Sequence, residues 1–365
     1  MREIVEVTHN RSFTIGDLTV RSGQKGFGRL PIAHLLNDQI LSVPVHVVNG
    51  AKPGHTLGLL GTIHGTEYPA ILAMREVVLG LDPEELSGTL VVIPVANPVS
   101  FAARQRKNTP EWDVDHSNMN WVFPGVRAKP AFGGGPSHPS DRSLSELMVS
   151  VLVEKVFPLL SALVDFHCAG MLGRALLKII QGKNVEGDLK ELCHGMARAF
   201  GVGLIHEHDF SPSTASGHAV KMGIPCCVPE IGGCEQSRVV TDWMTELSVK
   251  GMYNVMRFLG MLPGEVEVPE KQFVFFRAPH VRPTVGGYLL SEFEAEDLME
   301  AGPSGLKVQA GDLLGTIVNP FTFQTVEELR APVDGILYLT NRTGLVEVGD
   351  PGYAVADYVG SRWIS

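Results

Sequence analysis

The sequence predicts an α/β fold: a mostly parallel sheet with helices on both faces, plus a small C-terminal all-β domain. Two observations support this prediction. Between residues 43 and 262, short apolar runs alternate with helical patterns, which is the order of elements in a parallel sheet covered on both faces. After residue 262, short alternating strands are separated by Gly, Pro and Asp, as in a small β-sandwich or barrel.

The elements are assigned in chain order from these patterns. Residues 1–42 are expected to form an N-terminal β extension, and residues 43–262 the main domain. Strands buried on both faces read as short continuous apolar runs. Such runs predict strands at 43–48, 56–63, 89–95, 162–167 and 226–230, and helical patterns cover 66–80, 141–157, 188–200 and 238–260. A linker at 263–270 leads into the C-terminal domain, 270–365, which we interpret as a scaffold or lid.

Composition narrows the class of protein. The formal charge of -10 and the pI of about 5.7 argue against nucleic acid as a partner. The five cysteines are odd in number and show no CxxC spacing, so we expect a reduced, cytoplasmic protein. The most apolar long stretch, 147–164, contains Glu154, Lys155 and Pro158, so no membrane partner is expected.

His64 and Glu67 are the most informative residues in the chain. They follow a predicted buried strand and precede a helical pattern. Residues three apart at a helix start lie on one face, so the imidazole and the carboxylate can converge. One nitrogen and one oxygen are what a catalytic zinc takes from two of its three protein ligands. His167 and Glu230 end two further predicted strands, and ligands bind beyond the carboxyl ends of parallel strands.

Each of these residues also has an ordinary structural interpretation. Glu67 could complement a helix dipole, His167 could be a hydrogen-bonded core histidine, and Glu230 could cap the next segment. Taken together, however, these residues indicate a metal site more strongly than any one of them does alone. Asp165 lies two residues before His167 on the same strand face, where its carboxylate could orient the imidazole of a metal ligand.

Several motifs occur together in a fixed order. They are His64-x-x-Glu67, Asn97-Pro98, an Arg near position 106, Asn120 followed by Phe123-Pro124-Gly125, Asp165-x-His167 and Pro229-Glu230-Ile231-Gly232-Gly233. Over about residues 25–260 this set resembles the succinylglutamate desuccinylase/aspartoacylase family, zinc hydrolases built on the carboxypeptidase fold. The resemblance implies that one zinc ion per chain is bound by His64, Glu67 and His167. It also implies that Glu230 is the general base and acid.

The resemblance further implies an arginine that polarises the scissile carbonyl. Arg104 and Arg106 both follow Asn97-Pro98, and the spacing favours Arg106. A fixed guanidinium can stabilise the oxyanion of a tetrahedral intermediate. The alternative is that one or both are solvated surface cations.

One position departs from the family pattern. The family reads Asp-Leu-Asn-Arg-x-Phe-Pro-Gly where this chain reads Asn118-Met119-Asn120-Trp121-Val122-Phe123-Pro124-Gly125. Trp121 therefore replaces the arginine that binds the substrate carboxylate, and an indole cannot form a bidentate ion pair. We expect a substrate with an apolar or cationic group at that end, or a replacement by Arg127 or Arg104. Asn120, Trp121, Arg104 and Arg127 are the candidate substrate-binding residues.

The sequence thus predicts a zinc-dependent hydrolase of linear amide bonds. The expected substrate is a small N-acylated amino acid or a related amine. A carboxypeptidase-type or other amide or ester hydrolase using the same centre is the nearest alternative. A metal-retaining binding protein that has lost catalysis is a second alternative, and a homo-oligomer is left open.

Overall fold

The four predicted helices form with shifted ends, and three short helices that were not predicted also occur among the described residues. A computed structural model describes residues 10–108, 118–125, 142–171, 174–302 and 305–365. The helices are α1 (Ala70–Gly80), α2 (Pro98–Ala102), α3 (Leu144–Val151), α4 (Gly187–Phe200), α5 (Ala215–Lys221), α6 (Arg238–Phe258) and α7 (Ala295–Ala301). Short 3-10 or π turns cover Met119–Trp121, Leu152–Val156 and Phe157–Leu159. In the ranges described, no helix is both long and apolar enough to cross a membrane.

The strands fall into three sheets. They are β1 (Phe13–Ile15), β2 (Leu18–Val20), β3 (Gln24–His34), β4 (Ile40–Asn49), β5 (Lys52–Leu60), β6 (Ser87–Ile93), β7 (Ala162–Asp165), β8 (Arg174–Gly182), β9 (Leu204–His208), β10 (Cys226–Gly232), β11 (Gln272–Phe275), β12 (His280–Val281), β13 (Gly287–Ser291), β14 (Leu306–Val308), β15 (Leu313–Val318), β16 (Thr325–Arg330), β17 (Gly335–Asn341), β18 (Gly344–Val346), β19 (Tyr353–Asp357) and β20 (Arg362–Ile364). Strands β1 and β2 form a hairpin, and β16, β15, β13 and β18 form a separate antiparallel sheet.

The large sheet carries the site. Its main path runs β12-β19-β17-β8-β10-β7-β5-β6-β4-β3. Strands β6, β5, β7 and β10 are parallel neighbours, whereas β8 and the C-terminal β17 join through antiparallel pairing. The predicted α/β fold class, with a parallel sheet and additional C-terminal β structure, is confirmed. The domain boundaries at 1–42, 43–262 and 270–365 stay a prediction.

The central strands are buried on both faces, as their apolar runs predicted. On β5, Leu57 and Leu59 face one apolar core, and Leu60 faces the other. Met74 of α1 and Met252 of α6 pack in the first core. Residues of α3 and α5 pack in the second. Helices therefore cover both faces of the central strands.

Candidate metal centre and catalytic cleft

His64 and Glu67 lie in a turn between β5 and α1. The expectation that they share the first turn of a helix is wrong, because α1 begins only at residue 70. The Glu67 amide donates to the His64 carbonyl at 2.9 Å, which brings Glu67 Oε1 to 3.0 Å from His64 Nδ1. Gly65 allows this turn, because a Cβ there would lie 2.2 Å from the carbonyl carbon of Ser100. Asn97 helps to fix the same loop by donating to the carbonyl before His64 at 3.2 Å.

His167 and Glu230 lie side by side beyond the end of β7. The His167 amide donates to the Pro229 carbonyl at 2.9 Å, and the Ile231 amide donates to the His167 carbonyl at 3.2 Å. The two residues thereby form an isolated parallel bridge. Paired residues on neighbouring strands point to the same sheet face, so the Glu230 carboxylate lies beside the His167 imidazole.

Three side chains converge into a buried cluster that could hold a metal ion. One ligand atom each from His64, Glu67 and His167 lies within 4.8 Å of the others. His167 Nδ1 is 2.7 Å from Glu67 Oε2. Two imidazole nitrogens and one carboxylate oxygen match the donor set of a catalytic zinc that keeps one position open.

The hydrogen bonding of His64 supports this fit. Asn118 Oδ1 accepts from the backbone amide of Asn120, so His64 Nε2, 3.0 Å away, must donate to the same oxygen. Burial holds the pKa of His64 well below its usual value. In the neutral ring Nδ1 therefore carries a lone pair, and it has no hydrogen-bond donor among the described residues. A lone pair facing a carboxylate oxygen at 3.0 Å is stabilised when a cation lies between them.

His167 has the carboxylate partner that its motif predicted. Its Nε2 lies 3.5 Å from Asp165 Oδ1 and 3.4 Å from Asn120 Nδ2. Burial lowers the pKa of His167, but the Asp165 and Glu230 carboxylates together raise it, and the net pKa is raised. Asp165 is fully buried and its carboxylate favours a proton on Nε2 with Nδ1 facing Glu67, whereas the Asn120 amide nitrogen, which can only donate, favours the opposite tautomer.

The two candidate arginines occupy different places. Arg106 donates to Glu67 Oε1, although about half of its side chain (51%) remains exposed. Burial lowers the pKa of Arg106, and the nearby Glu230 carboxylate opposes this effect. Arg104 has a positive φ of 54°. It lines only the larger of two cavities that border the cluster, whereas Arg106 lines both.

The two cavities meet at Arg106, His167 and Glu230. The larger, about 770 Å³, is lined on one side by C-terminal residues, namely His280, Tyr338, Leu339 and Pro351. The smaller, about 230 Å³, is lined by Asn120, Trp121, Ser211, Thr214 and Ser216 among others. Arg127 lies outside the described residues. The cleft therefore has one compartment on each side of the metal cluster.

Some residues of the cleft were not anticipated. Asn118 belongs to the motif at residues 118–125 but was not predicted to contact His64, although its place two residues before Asn120 was a usable signal. Strand β8 was not predicted, and it brings Arg174 and Lys178 into the larger cavity. The short apolar run at 175–180, interrupted by Lys178, could have indicated a strand, but an isolated run of this kind does not identify its partner strands.

Comparison with known proteins agrees with this architecture. The model of the succinylglutamate desuccinylase/aspartoacylase catalytic domain matches residues 53–259. The chain therefore belongs to the succinylglutamate desuccinylase/aspartoacylase family, and this part of the resemblance is confirmed.

Individual relatives span nearly the whole chain. An N-alpha-acetyl-L-2,4-diaminobutyric acid deacetylase from Halomonas elongata is 26% identical over 350 residues, which cover 93% of this chain and 92% of that protein. A succinylglutamate desuccinylase/aspartoacylase from Rhodobacter sphaeroides has a TM-score of 0.74 at 22% identity, covering 96% of this chain and all of that one. The product-bound ectoine utilization protein EutE (DoeB) from Ruegeria pomeroyi has a TM-score of 0.73 at 24% identity, covering 92% and 95%. At these identities the solved structures show the shared fold.

Proposed function

We propose that the protein is a zinc-dependent deacylase that hydrolyses the linear amide bond of a small N-acylated amino acid or related amine. The observation that carries this proposal is the His64, Glu67 and His167 cluster, with Glu230 and Arg106 beside it where two cavities meet. Membership of the family supports the reaction class. The five cysteines are all free, which supports a reducing, cytoplasmic location.

Each residue has a role that follows from its position. A bound metal ion would activate a water molecule and polarise the scissile carbonyl. Glu230, next to His167, is placed to accept a proton from a water in the cleft and to donate one to the departing amine. Arg106 is placed to stabilise the negative charge that develops on the carbonyl oxygen. Asn118 contacts Nε2 of His64, and Asp165 lies near Nε2 of His167. Both contacts orient the imidazoles so that each Nδ1 is directed toward the proposed metal position.

Trp121 makes the smaller cavity favourable for a positively charged group of the substrate. Trp121 is 65% exposed at this cavity, and Lys107 Nζ already lies 5.2 Å from the centre of its ring. An indole face attracts ammonium groups, and an arginine at this position would repel them. We therefore propose that the departing amine carries a second, cationic amino group. The name of the Halomonas elongata relative makes N-acetyl-L-2,4-diaminobutyrate the first substrate to test.

The direct test combines metal analysis with a substrate panel. Purified protein would be assayed for bound metal and then supplied with N-acetyl-L-2,4-diaminobutyrate, N-acetyl-L-aspartate, N-succinyl-L-glutamate, short peptides and esters. We expect about one zinc per chain and release of acetate from the first substrate. Faster cleavage of peptides or esters would favour the alternative hydrolase. A metal-loaded protein that turns over nothing in the panel would favour a binding protein.

Trp121→Arg is expected to reverse the side-chain preference. The new guanidinium repels a cationic side chain and attracts a carboxylate, so we expect the kcat/KM ratio of diaminobutyrate to aspartate substrates to fall about 10- to 100-fold. Trp121→Phe is the matched control, because it keeps an aromatic face and should keep the preference. An unchanged kcat/KM ratio in Trp121→Arg would show that the side chain at position 121 does not determine the substrate preference.

Arg106→Ala is expected to lower kcat about 100- to 1,000-fold, because loss of one oxyanion donor costs about this much. The control is Arg104→Ala, which removes a neighbouring guanidinium that lines only the larger cavity and should leave kcat within about tenfold of the wild type. Steady-state kinetics with the best panel substrate measures both. If the two variants exchange these effects, Arg104 is the polarising residue.

A further inference from the structure

The floor of the larger cavity is built from one face of strand β8. Ala175, Leu177 and Ile179 point into the apolar core, so the alternate positions face the cleft. Two of these, Arg174 and Lys178, line the larger cavity. The antiparallel register pairs Lys178 directly with Glu230 of β10, and directly paired residues project from the same face. A lysine therefore lies next to the proposed general base.

Lys178 is buried, with Glu230 as its neighbouring carboxylate; burial lowers the pKa of Lys178, and Glu230 opposes this effect. Lys178 is only 9% exposed. Its Nζ lies 3.4 Å from His206 Nδ1 and 5.0 Å from the centre of the Tyr338 ring. Among the described residues no carboxylate forms an ion pair with it. A buried ammonium group in this situation is costly unless an anion approaches it.

Positive side chains outnumber carboxylates in the larger cavity, and Glu230 is the carboxylate next to Lys178. The described lining of this cavity contains the cations of Arg104, Arg106, Arg174 and Lys178, but only the carboxylates of Glu67 and Glu230. Glu67 belongs to the metal cluster and is contacted by Arg106. Arg174 donates to the Met171 carbonyl at 3.3 Å. Burial lowers the pKa of Arg174; Asp350 opposes this effect but forms no ion pair with Arg174 among the described contacts. The cavity therefore has an excess of positive charge.

We propose that this cavity binds the free carboxylate of the substrate through Lys178, with Arg174 farther along the same strand face. This inference rests on the proposed deacylase function and specifies its substrate class. It explains how the chain can bind an acidic substrate although Trp121 stands where the family has its arginine. A substrate would lie across the cluster, with its carboxylate in the larger cavity and its cationic group against Trp121 in the smaller one. The carboxylate belongs either to the amine or to the acyl group.

Substrate pairs distinguish these two sources. Wild-type protein would be assayed with N-acetyl-L-2,4-diaminobutyrate and with its carboxamide, and with N-succinyl-1,3-diaminopropane and N-acetyl-1,3-diaminopropane. If the amine carries the carboxylate, kcat/KM should fall about 10- to 100-fold from the acid to the carboxamide. If the acyl group carries it, the succinyl compound should exceed the acetyl compound by a similar factor. Equal rates within both pairs would overturn the proposal.

Variants of Lys178 test whether this residue causes the preference for the acidic substrate. Lys178→Met keeps the length of the side chain and removes its charge, so the preference for the acidic member of the pair should disappear, mainly through KM. Lys178→Arg should retain most of the preference. Lys183→Met is the matched control, since Lys183 is exposed just beyond the same strand and lines neither cavity. An equal loss on both members of a pair in Lys178→Met would mean a structural role and would contradict carboxylate binding.

A binding measurement separates failure of this inference from failure of the proposed function. Calorimetry with Glu230→Gln protein would compare binding of N-acetyl-L-2,4-diaminobutyrate and its carboxamide, with and without Lys178→Met. We expect the acid to bind about 10- to 100-fold more tightly, and only when Lys178 is present. This result would support the carboxylate site even if no amide is hydrolysed. Turnover of the panel combined with equal binding of acid and carboxamide would retain the deacylase and reject the carboxylate site.

Discussion

Glu230→Gln should lower kcat by about 100- to 10,000-fold, the usual contribution of general acid–base catalysis. Glutamine keeps the shape and the hydrogen-bonding capacity of the side chain, but it cannot accept a proton from water. The backbone bridge between Glu230 and His167 does not depend on the side chain, so the fold and the metal content should be unchanged. Steady-state kinetics and metal analysis of the same preparation would measure both quantities.

Glu246→Gln is a suitable control for this variant. Glu246 is exposed on helix α6 and lines neither cavity, so its replacement tests the loss of one carboxylate away from the cleft. Its activity should match the wild type. If Glu230→Gln kept more than about a tenth of the wild-type kcat, another group would have to transfer the proton, and Glu230 would lose its proposed role.

The second large effect is expected from the metal cluster. His64→Ala removes one of the three proposed zinc ligands, so we expect bound zinc to fall from about one per chain to almost none and activity to fall to the background rate. Chelation of the wild-type protein should give the same loss, and added zinc should reverse it in the wild type only. Because an ion that binds only the folded state stabilises it, zinc should raise the Tm of the wild type and leave that of His64→Ala unchanged.

His55→Ala is the control for the ligand variant. His55 is exposed and contacts Ser161, so its removal should change neither metal content nor the zinc-dependent Tm. Full activity of a metal-free wild-type protein would contradict the proposed mechanism. A zinc-dependent Tm that survives in His64→Ala would place the metal elsewhere in the chain.

Local patterns were sufficient to predict much of the site. His64, Glu67 and His167 follow apolar runs that form β5 and β7, and such runs are visible without any knowledge of the fold. Glu230, predicted at a strand end, lies within β10, which continues to Gly232. In a parallel sheet these strands end at one edge, so the convergence of the four residues followed from the alternation of elements. The Asp165-x-His167 spacing likewise predicted a carboxylate beside the imidazole from strand periodicity alone.

Other features depended on contacts between distant parts of the chain. The spacing of His64 and Glu67 was compatible with a helix, but the close approach of Gly65 to Ser100 favours a turn that delays the helix to residue 70. The donation of His64 to Asn118 joins two segments whose relative position no local pattern specifies. The turn and this hydrogen bond both depend on tertiary packing, which overrides the secondary-structure propensity of the local sequence.

The sequence by itself determined the fold class, the three candidate ligands, the candidate base and the unusual tryptophan, because each of these is encoded in residue type and short-range spacing. Only the tertiary structure decided what lies around them. The register of β8 against β10 places Lys178 opposite Glu230, and the C-terminal strands close the larger cavity above it. Strand register depends on pairing between segments far apart in the chain. The charge of the larger cavity therefore became visible only when those segments were brought together.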